Sequence, residues 1–169
     1  MNFIRHFDYA HNADLSAWIP WFQEDELLGL MKPEFAKRGL ALKIFNEKPQ
    51  GLVLREADTN ALNRAFATFA ETVYAEGLLS SWVGELFPVK ASVEEQQRFV
   101  MERTLTAPLG CLTFGVHLNG YVTTENGIEL WIAKRSESKP TFPGLLDNMV
   151  GGGHPAGIGL MDNLVKECF

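Results

Sequence analysis

The sequence predicts an α+β fold built as two small units, and three features carry that expectation. One long amphipathic helix pattern runs over residues 60–76, short apolar runs punctuated by turn residues surround it, and the chain changes character after Ala107-Pro108-Leu109-Gly110. A length of 169 residues, 46% apolar and 21% charged, suits one ordinary domain or two small ones. A collagen, a mucin or a disordered tail is excluded by the same figures.

The first elements are short. Trp18-Ile19-Pro20-Trp21-Phe22 and Leu27-Leu28-Gly29-Leu30-Met31 flank the acidic Gln23-Glu24-Asp25-Glu26 as the arms of a hairpin would. Pro33 suits the first turn of a helix through Phe35 to Arg38, with Gly39 ending it. Leu42, Ile44 and Phe45 precede Asn46-Glu47-Lys48-Pro49-Gln50-Gly51, a loop by composition, and Leu52-Val53-Leu54 resumes an extended run.

Over residues 60–76, Leu62, Phe66, Phe69, Ala70, Val73 and Tyr74 recur at helical spacing, so this stripe is expected to face a core. Asp58 or Thr59 can cap the helix, and Gly77 can supply the left-handed residue after it. Trp82 to Val89 reads as a strand. Ser92 with Glu95 has capping-box spacing, which predicts a helix continuing through Phe99 and Val100 toward Arg103.

A boundary falls near Gly110, giving units of residues 1–109 and 110–169. Leu112 to Val122 is extended, Glu125-Asn126-Gly127 carries the Asn-Gly of a tight hairpin, and Ile128 to Ala133 returns. A polar loop, Lys134 to Thr141, leads to Phe142-Pro143-Gly144, Leu145 to Val150 and the run Gly151-Gly152-Gly153. Leu160, Leu164, Val165 and Cys168 then have helical spacing, and the second unit reads as unfinished.

Charge and cysteine content narrow the function classes. Lys and Arg total 15 against 21 Asp and Glu, a net charge of -6, which argues against coating nucleic acid. Apolar stretches such as Leu109 to Val116 stop well short of the roughly 20 residues of a membrane helix, and the amino terminus has no apolar signal core. No membrane span and no secretion are expected. Cys111 and Cys168 make neither a disulfide framework nor a CxxC site and are read as reduced thiols in a cytoplasmic protein.

Gly151-Gly152-Gly153-His154-Pro155-Ala156-Gly157 ahead of a helix can present backbone amides to an anion. It is neither a P-loop nor a dinucleotide fingerprint. By themselves the glycines are expected to serve a turn, above all Gly151, through positive φ. His154 is expected to be exposed or locally bonded, and His6, His11 and His117 show no metal-ligand spacing. No nucleophile elbow and no Cys-His pair is found, and Trp18, Trp21, Trp82 and Trp131 are expected in cores.

Trp131-Ile132-Ala133-Lys134-Arg135-Ser136, Lys139, Phe142-Pro143-Gly144, Asp147-Asn148, Gly152-Gly153, Gly157 and Lys166-Glu167 together resemble the Nudix hydrolases of the branch associated with thiamin pyrophosphokinase. Trp82, Gly84 to Val89, Glu102-Arg103 and Gly115 to Tyr121 resemble the accessory amino-terminal domain of that branch. The resemblance implies a small accessory α+β domain over residues 1–109 and the incomplete front part of a Nudix α/β/α sandwich over 110–169.

Laid on the family signature by spacing, Gly152 is its first glycine, Ile158 stands at its first Glu, and Lys166-Glu167 stand at its Arg-Glu. Cys168 and Phe169 follow, and the Glu-Glu pair would come next, so the resemblance implies a chain truncated inside the Nudix box. In the family those carboxylates hold Mg²⁺, the implied cofactor. Glu167 is then the catalytic and metal-ligating candidate, with Arg135, Lys139, Gly152 and Gly153 as substrate-binding candidates, whereas Asp147 and Asn148 are expected to bond the neighbouring loop.

The implied function is hydrolysis of a diphosphate linkage in a small molecule, with thiamin diphosphate or damaged analogues as the substrate class and little activity expected from the truncated form. The alternative is a degenerate, non-catalytic Nudix relative that binds a ligand or partner. Self-association is expected if the unfinished helix and sheet leave apolar surface uncovered.

Overall fold

The computed structural model describes residues 13–139 and 142–169, so His6, His11 and the end of the loop at Pro140-Thr141 lie outside the described residues. The fold is α+β, several small sheets with four helices among the described residues, and the chain divides into two units after Leu112.

In the first unit, β1 (Ile19–Gln23) and β2 (Glu26–Met31) form the expected hairpin, with a bulge between Trp21 and Phe22. Helix α1 (Pro33–Ala41) runs through Gly39, which does not end it. Gly39 is there for space: a Cβ would lie 2.7 Å from carbons of the Phe45 ring. The expected loop at 46–51 is instead a second hairpin, β3 (Phe45–Lys48) and β4 (Gly51–Leu54). Its polar composition misled because β3 is the edge of the sheet β2-β1-β4-β3 and exposes Asn46, Glu47 and Lys48.

Helix α2 (Thr59–Ala75) forms as expected and buries Leu62, Phe66, Phe69, Ala70 and Val73. The Asp58 carboxylate accepts from Ala61 N–H at 2.8 Å, while the Thr59 hydroxyl donates to the Arg98 carbonyl. Gly77 is left-handed, φ 74°, closing the helix. Tyr74 departs from the buried stripe and packs its exposed ring against Trp82, centroids 5.5 Å apart.

Two expectations fail after this helix. Only Leu86–Val89 of the expected strand forms (β5), since Gly84 at φ 77° interrupts the extension. The capping-box helix does not form: Glu95 reaches back to the Ala91 N–H and pairs with Arg98, holding a loop, and Phe99–Glu102 is strand β6, antiparallel to β5. Phe99 and Met101 are buried and Val100 is half-buried, a period of two that outweighs the cap signal. Helix α3 is limited to Arg103–Thr106.

The core of this unit is aromatic. Phe66 lies 4.7 to 6.1 Å from the rings of Trp21, Phe45, Phe69 and Phe99. The Trp21 Nε1–H donates to the Leu109 carbonyl at 2.8 Å, so the indole is fully buried without an orphaned donor.

In the second unit, β7 (Gly115–Leu118) is followed by the predicted hairpin of β8 (Tyr121–Thr124) and β9 (Gly127–Leu130) around Glu125-Asn126. Asn119-Gly120 breaks the expected single run of 112–122. Strand β10 (Ala133–Lys134) pairs with β11 (Leu146–Asp147), and β12 (Val150–Gly153) pairs with β7. Helix α4 (Leu160–Cys168) packs on β12 and β7.

Candidate functional site

The glycine run is not a turn. Gly151, Gly152 and Gly153 are extended residues of β12, opposite His117, Val116 and Gly115, and the left-handed glycine of the region is Gly157, φ 83°. What these positions require is absent side chains. A Cβ on Gly151 would stand 3.0 Å from His117 Nδ1, and one on Gly152 would overlap Cδ and Oε2 of Glu167. Gly152 thus seats the Glu167 carboxylate directly on the strand.

Helix α4 reaches that strand with Asn163 and Glu167, and of the side marked by its apolar spacing only Leu164 is half-buried. Asn163 is fully buried, and Glu167, one turn on, is partly buried with Lys166 Nζ 3.6 Å from its Oε1. Leu160, Met161 and Val165 are 62%, 70% and 53% exposed. The Asn163 Nδ2 donates to the Gly153 carbonyl at 3.0 Å, which fixes the helix to the glycine strand.

Two buried polar atoms here have no partner among the described residues, Asn163 Oδ1 and His154 Nδ1. The His154 N–H donates to the Phe114 carbonyl at 2.9 Å, continuing the β7–β12 ladder, and the imidazole is half-buried, which corrects the expectation of an exposed or locally bonded side chain. A buried acceptor left unmatched costs about 1–3 kcal/mol, so the placement of Asn163 Oδ1 here is unfavourable for the fold. Sequence reasoning missed Asn163; its one signal was a polar residue four before Glu167.

Arg135 and Lys139 stand apart from this pair. Arg135 Nη1 donates to Asp147 Oδ2 at 2.6 Å and its Nε to the Phe142 carbonyl, so β10 and β11 are tied by an ion pair. Lys139 is exposed, and its side chain meets no partner among the described residues. Among the described residues no hydrogen bond or ion pair links either cation to Gly152, Gly153 or Glu167. Asn148 bonds Asn119 Oδ1 at 2.6 Å.

The Arg135 hydrogen bond, then the Asn148 N–H, hold the Asp147 carboxyl below the usual carboxylate range, with smaller contributions from the charges of Arg135 and His117. A folded pKa below the unfolded one gives stability that is present above the unfolded value, near 3.9, and lost as pH falls through the folded value. A carbon-detected titration is expected to find the Asp147 midpoint below an ordinary aspartate, and an Arg135→Gln variant to return it upward. Burial pushes the Cys111 thiol up, which keeps it an unreactive thiol.

Glu167 and Asn163 Oδ1 are oxygen donors of the kind Mg²⁺ takes, but a hard divalent cation wants about six oxygens. No three His, Cys, Asp or Glu side chains among the described residues gather at metal-binding spacing. The described residues do not by themselves make a Mg²⁺ cage, and no hydrolytic step through a metal is derived from them. No helix among the described residues is long and apolar enough to cross a membrane.

No family model matches the chain. Among curated proteins it is 44% identical over 105 residues to Nudix hydrolase 20, chloroplastic, of Arabidopsis thaliana, covering 62% of this chain and 28% of that protein. It is 33% identical over 164 residues to Nudix hydrolase 24, chloroplastic, of the same plant, covering 91% of this chain and 44% of that protein. An uncharacterized Saccharomyces cerevisiae protein is 30% identical over 127 residues, 72% of this chain and 36% of its own length. By sequence the chain is therefore a relative of plant proteins named Nudix hydrolases, and it spans less than half of their length.

Proposed function

We propose that this chain is part of a Nudix-type hydrolase acting on the diphosphate linkage of a small molecule, with thiamin diphosphate or its damaged analogues as the substrate class. One observation carries the reading: Glu167 and Gly152, which stand at two positions of the family signature far apart in sequence, are in direct contact. The kinship to proteins named Nudix hydrolases points the same way. In this reading Residues 1–109 are the accessory domain and 110–169 the front of the Nudix sandwich. Glu167 is the catalytic and metal-ligating carboxylate, Gly152 and Gly153 form its seat, and Arg135 and Lys139 steady the diphosphate charge.

The test measures release of phosphate or thiamin monophosphate from thiamin diphosphate, and of nucleoside monophosphate from a nucleotide sugar, with and without Mg²⁺. The protein as made in the cell is expected to turn over one of them with Mg²⁺ and to lose this in Glu167→Gln. The 169-residue polypeptide is expected to stay at background, because Glu167 alone is too few ligands. Metal-dependent turnover that survives Glu167→Gln would place the site elsewhere; binding of the diphosphate without turnover by the cellular protein would instead establish the non-catalytic reading.

Cytoplasmic residence belongs to the same proposal, against the chloroplast in the two plant relatives' names, and cell fractionation decides it. So does self-association. The second unit exposes Ile128, Leu130, Trp131, Leu146, Leu160 and Met161, each by 60% or more, and association of copies would take such apolar groups out of water. Size-exclusion chromatography of the 169-residue polypeptide is expected to show concentration-dependent association; a clean monomer that binds no apolar dye defeats it.

A further inference from the structure

The accessory unit carries a cavity that the diphosphatase reading does not use. It measures about 230 Å³ and lies between one face of α2 and the β5–β6 pair, lined by Asn63, Ala67 and Glu71 from the helix and by Trp82, Leu86 and Glu102 from the other wall. Trp82, Leu86 and Glu102 belong to the motifs that the sequence singled out in this half, and here the chain brings them to one hollow.

The lining has a definite chemical character. It is mostly apolar, with the half-exposed indole of Trp82 and the side chain of Leu86 on one side. Among the described residues both charged groups that line it are acidic, and no Lys, Arg or His does. Glu102 is only 3% exposed, and its hydrogen bonds, from Val83 N, Thr104 N and the Thr104 hydroxyl, all fall on Oε1. Oε2 takes none among the described residues.

The neighbouring cation is committed elsewhere. Arg103 Nη1 bonds Glu85 at 2.8 Å, and its guanidinium lies 5.2 Å from the Phe87 ring centroid. Glu102 is therefore a buried carboxylate with three neutral donors and no cationic partner, an arrangement that gains from a cation brought from outside. Asn63 is not available to a ligand's N–H through Oδ1, which accepts from Val100 N at 2.8 Å and holds the wall in place.

We infer that this cavity binds a small organic cation with a flat apolar body, of the size of one ring bearing a quaternary or protonated nitrogen. The indole face and the two carboxylates attract the positive charge, and the apolar walls take the ring. A cavity of this volume is too small for a nucleotide. An anion would meet Glu71 and Glu102 with nothing to offset them.

Benzyltrimethylammonium tests this on the 169-residue chain, with benzyl alcohol as the neutral control and benzoate as the anionic one. Binding is read by calorimetry and by amide and indole NMR shifts. The ammonium is expected to bind about tenfold more tightly than benzyl alcohol, as a cation–π and ion-pair gain of about 1.4 kcal/mol gives, with shifts at Trp82 and Val100 and no binding of benzoate. Glu71→Gln, on the exposed helix surface, and Glu102→Gln, which keeps an acceptor for Val83 and Thr104, are each expected to remove most of that preference. Glu167→Gln leaves it unchanged, so failure here is separate from failure of the hydrolase reading. Equal affinity for all three probes, shifts confined to other residues, or a cation preference intact in both glutamine variants overturns the inference. If Glu102→Gln does not fold, Glu71→Gln and Trp82→Leu decide alone.

Discussion

Phe66→Ala is expected to cost about 3–5 kcal/mol of stability, the usual range for a buried phenylalanine, and to unfold a large share of the chain near its working temperature. Phe66 is fully buried on α2, and it touches the strands on both sides: Trp21 of β1, Phe45 of β3 and Phe99 of β6 all lie within 6.1 Å of its ring. Removing the ring opens a cavity at the point where these elements meet. The Trp21 indole is pinned to the Leu109 carbonyl, which limits how far that wall can collapse into the space. Since a domain of this size is stable by only about 5–15 kcal/mol, the loss is severe. Urea titration followed by tryptophan fluorescence measures it. A midpoint unchanged from the parent protein would show that α2 is not the centre of this core. Tyr74→Ala, at the exposed end of the same stripe, is the contrasting case and is expected to cost far less.

Helix α2 was legible because every local signal agreed: period, cap and terminating glycine point to the same bounds. Elsewhere signals conflicted, and tertiary context chose. Gly39 reads as a stop, yet the Phe45 ring needs the space above it, so the helix continues. Ser92 and Glu95 read as a helix start, yet the alternation of Phe99 and Met101 against α2 makes that segment a strand. The candidate site was legible only in part for a different reason. The spacing of Leu160, Leu164 and Val165 marks an apolar face, and burial follows apolar faces in ordinary helices. In α4 the buried side is the one bearing Asn163 and Glu167, a polar contact with a glycine strand that hydrophobic periodicity cannot register. Asn163 Nδ2 ties the helix to the Gly153 carbonyl, while its Oδ1, unmatched among the described residues, is a cost that an apolar residue there would not carry. The glycine run was read as a turn because left-handed φ is the commoner reason for glycine. The other reason, close approach, depends on residues distant in sequence: His117 over Gly151 and Glu167 over Gly152.

That second reason makes Gly152→Ala the sharpest probe of the site. Gly152 is extended, so an alanine meets no backbone strain there, and the atoms its methyl would overlap are Cδ and Oε2 of Glu167, with Cγ at 2.6 Å. These are the mobile end of a partly exposed side chain. The helix and strand can therefore stay as they are while the carboxylate swings off its seat. At Gly29 the same change would drive a methyl into the carbonyls of Leu109 and Gly110, which are backbone and cannot yield, so Gly29→Ala is a folding mutation and Gly152→Ala is not. In the protein as made in the cell, Gly152→Ala is expected to keep the parent melting temperature within a few degrees. Its metal-dependent turnover is expected to fall about 10²-fold, the usual consequence of displacing a reacting group by an ångström or so. The fall should be nearly as deep as that of Glu167→Gln. The double variant Gly152→Ala/Glu167→Gln should be no worse than Glu167→Gln alone, because both changes remove the same positioned carboxylate and their effects cannot add. Steady-state kcat/KM for the four proteins completes the cycle. Full turnover in Gly152→Ala would mean that Glu167 does its work away from β12, and a double variant much worse than Glu167→Gln would mean that Gly152 acts on substrate through its own backbone.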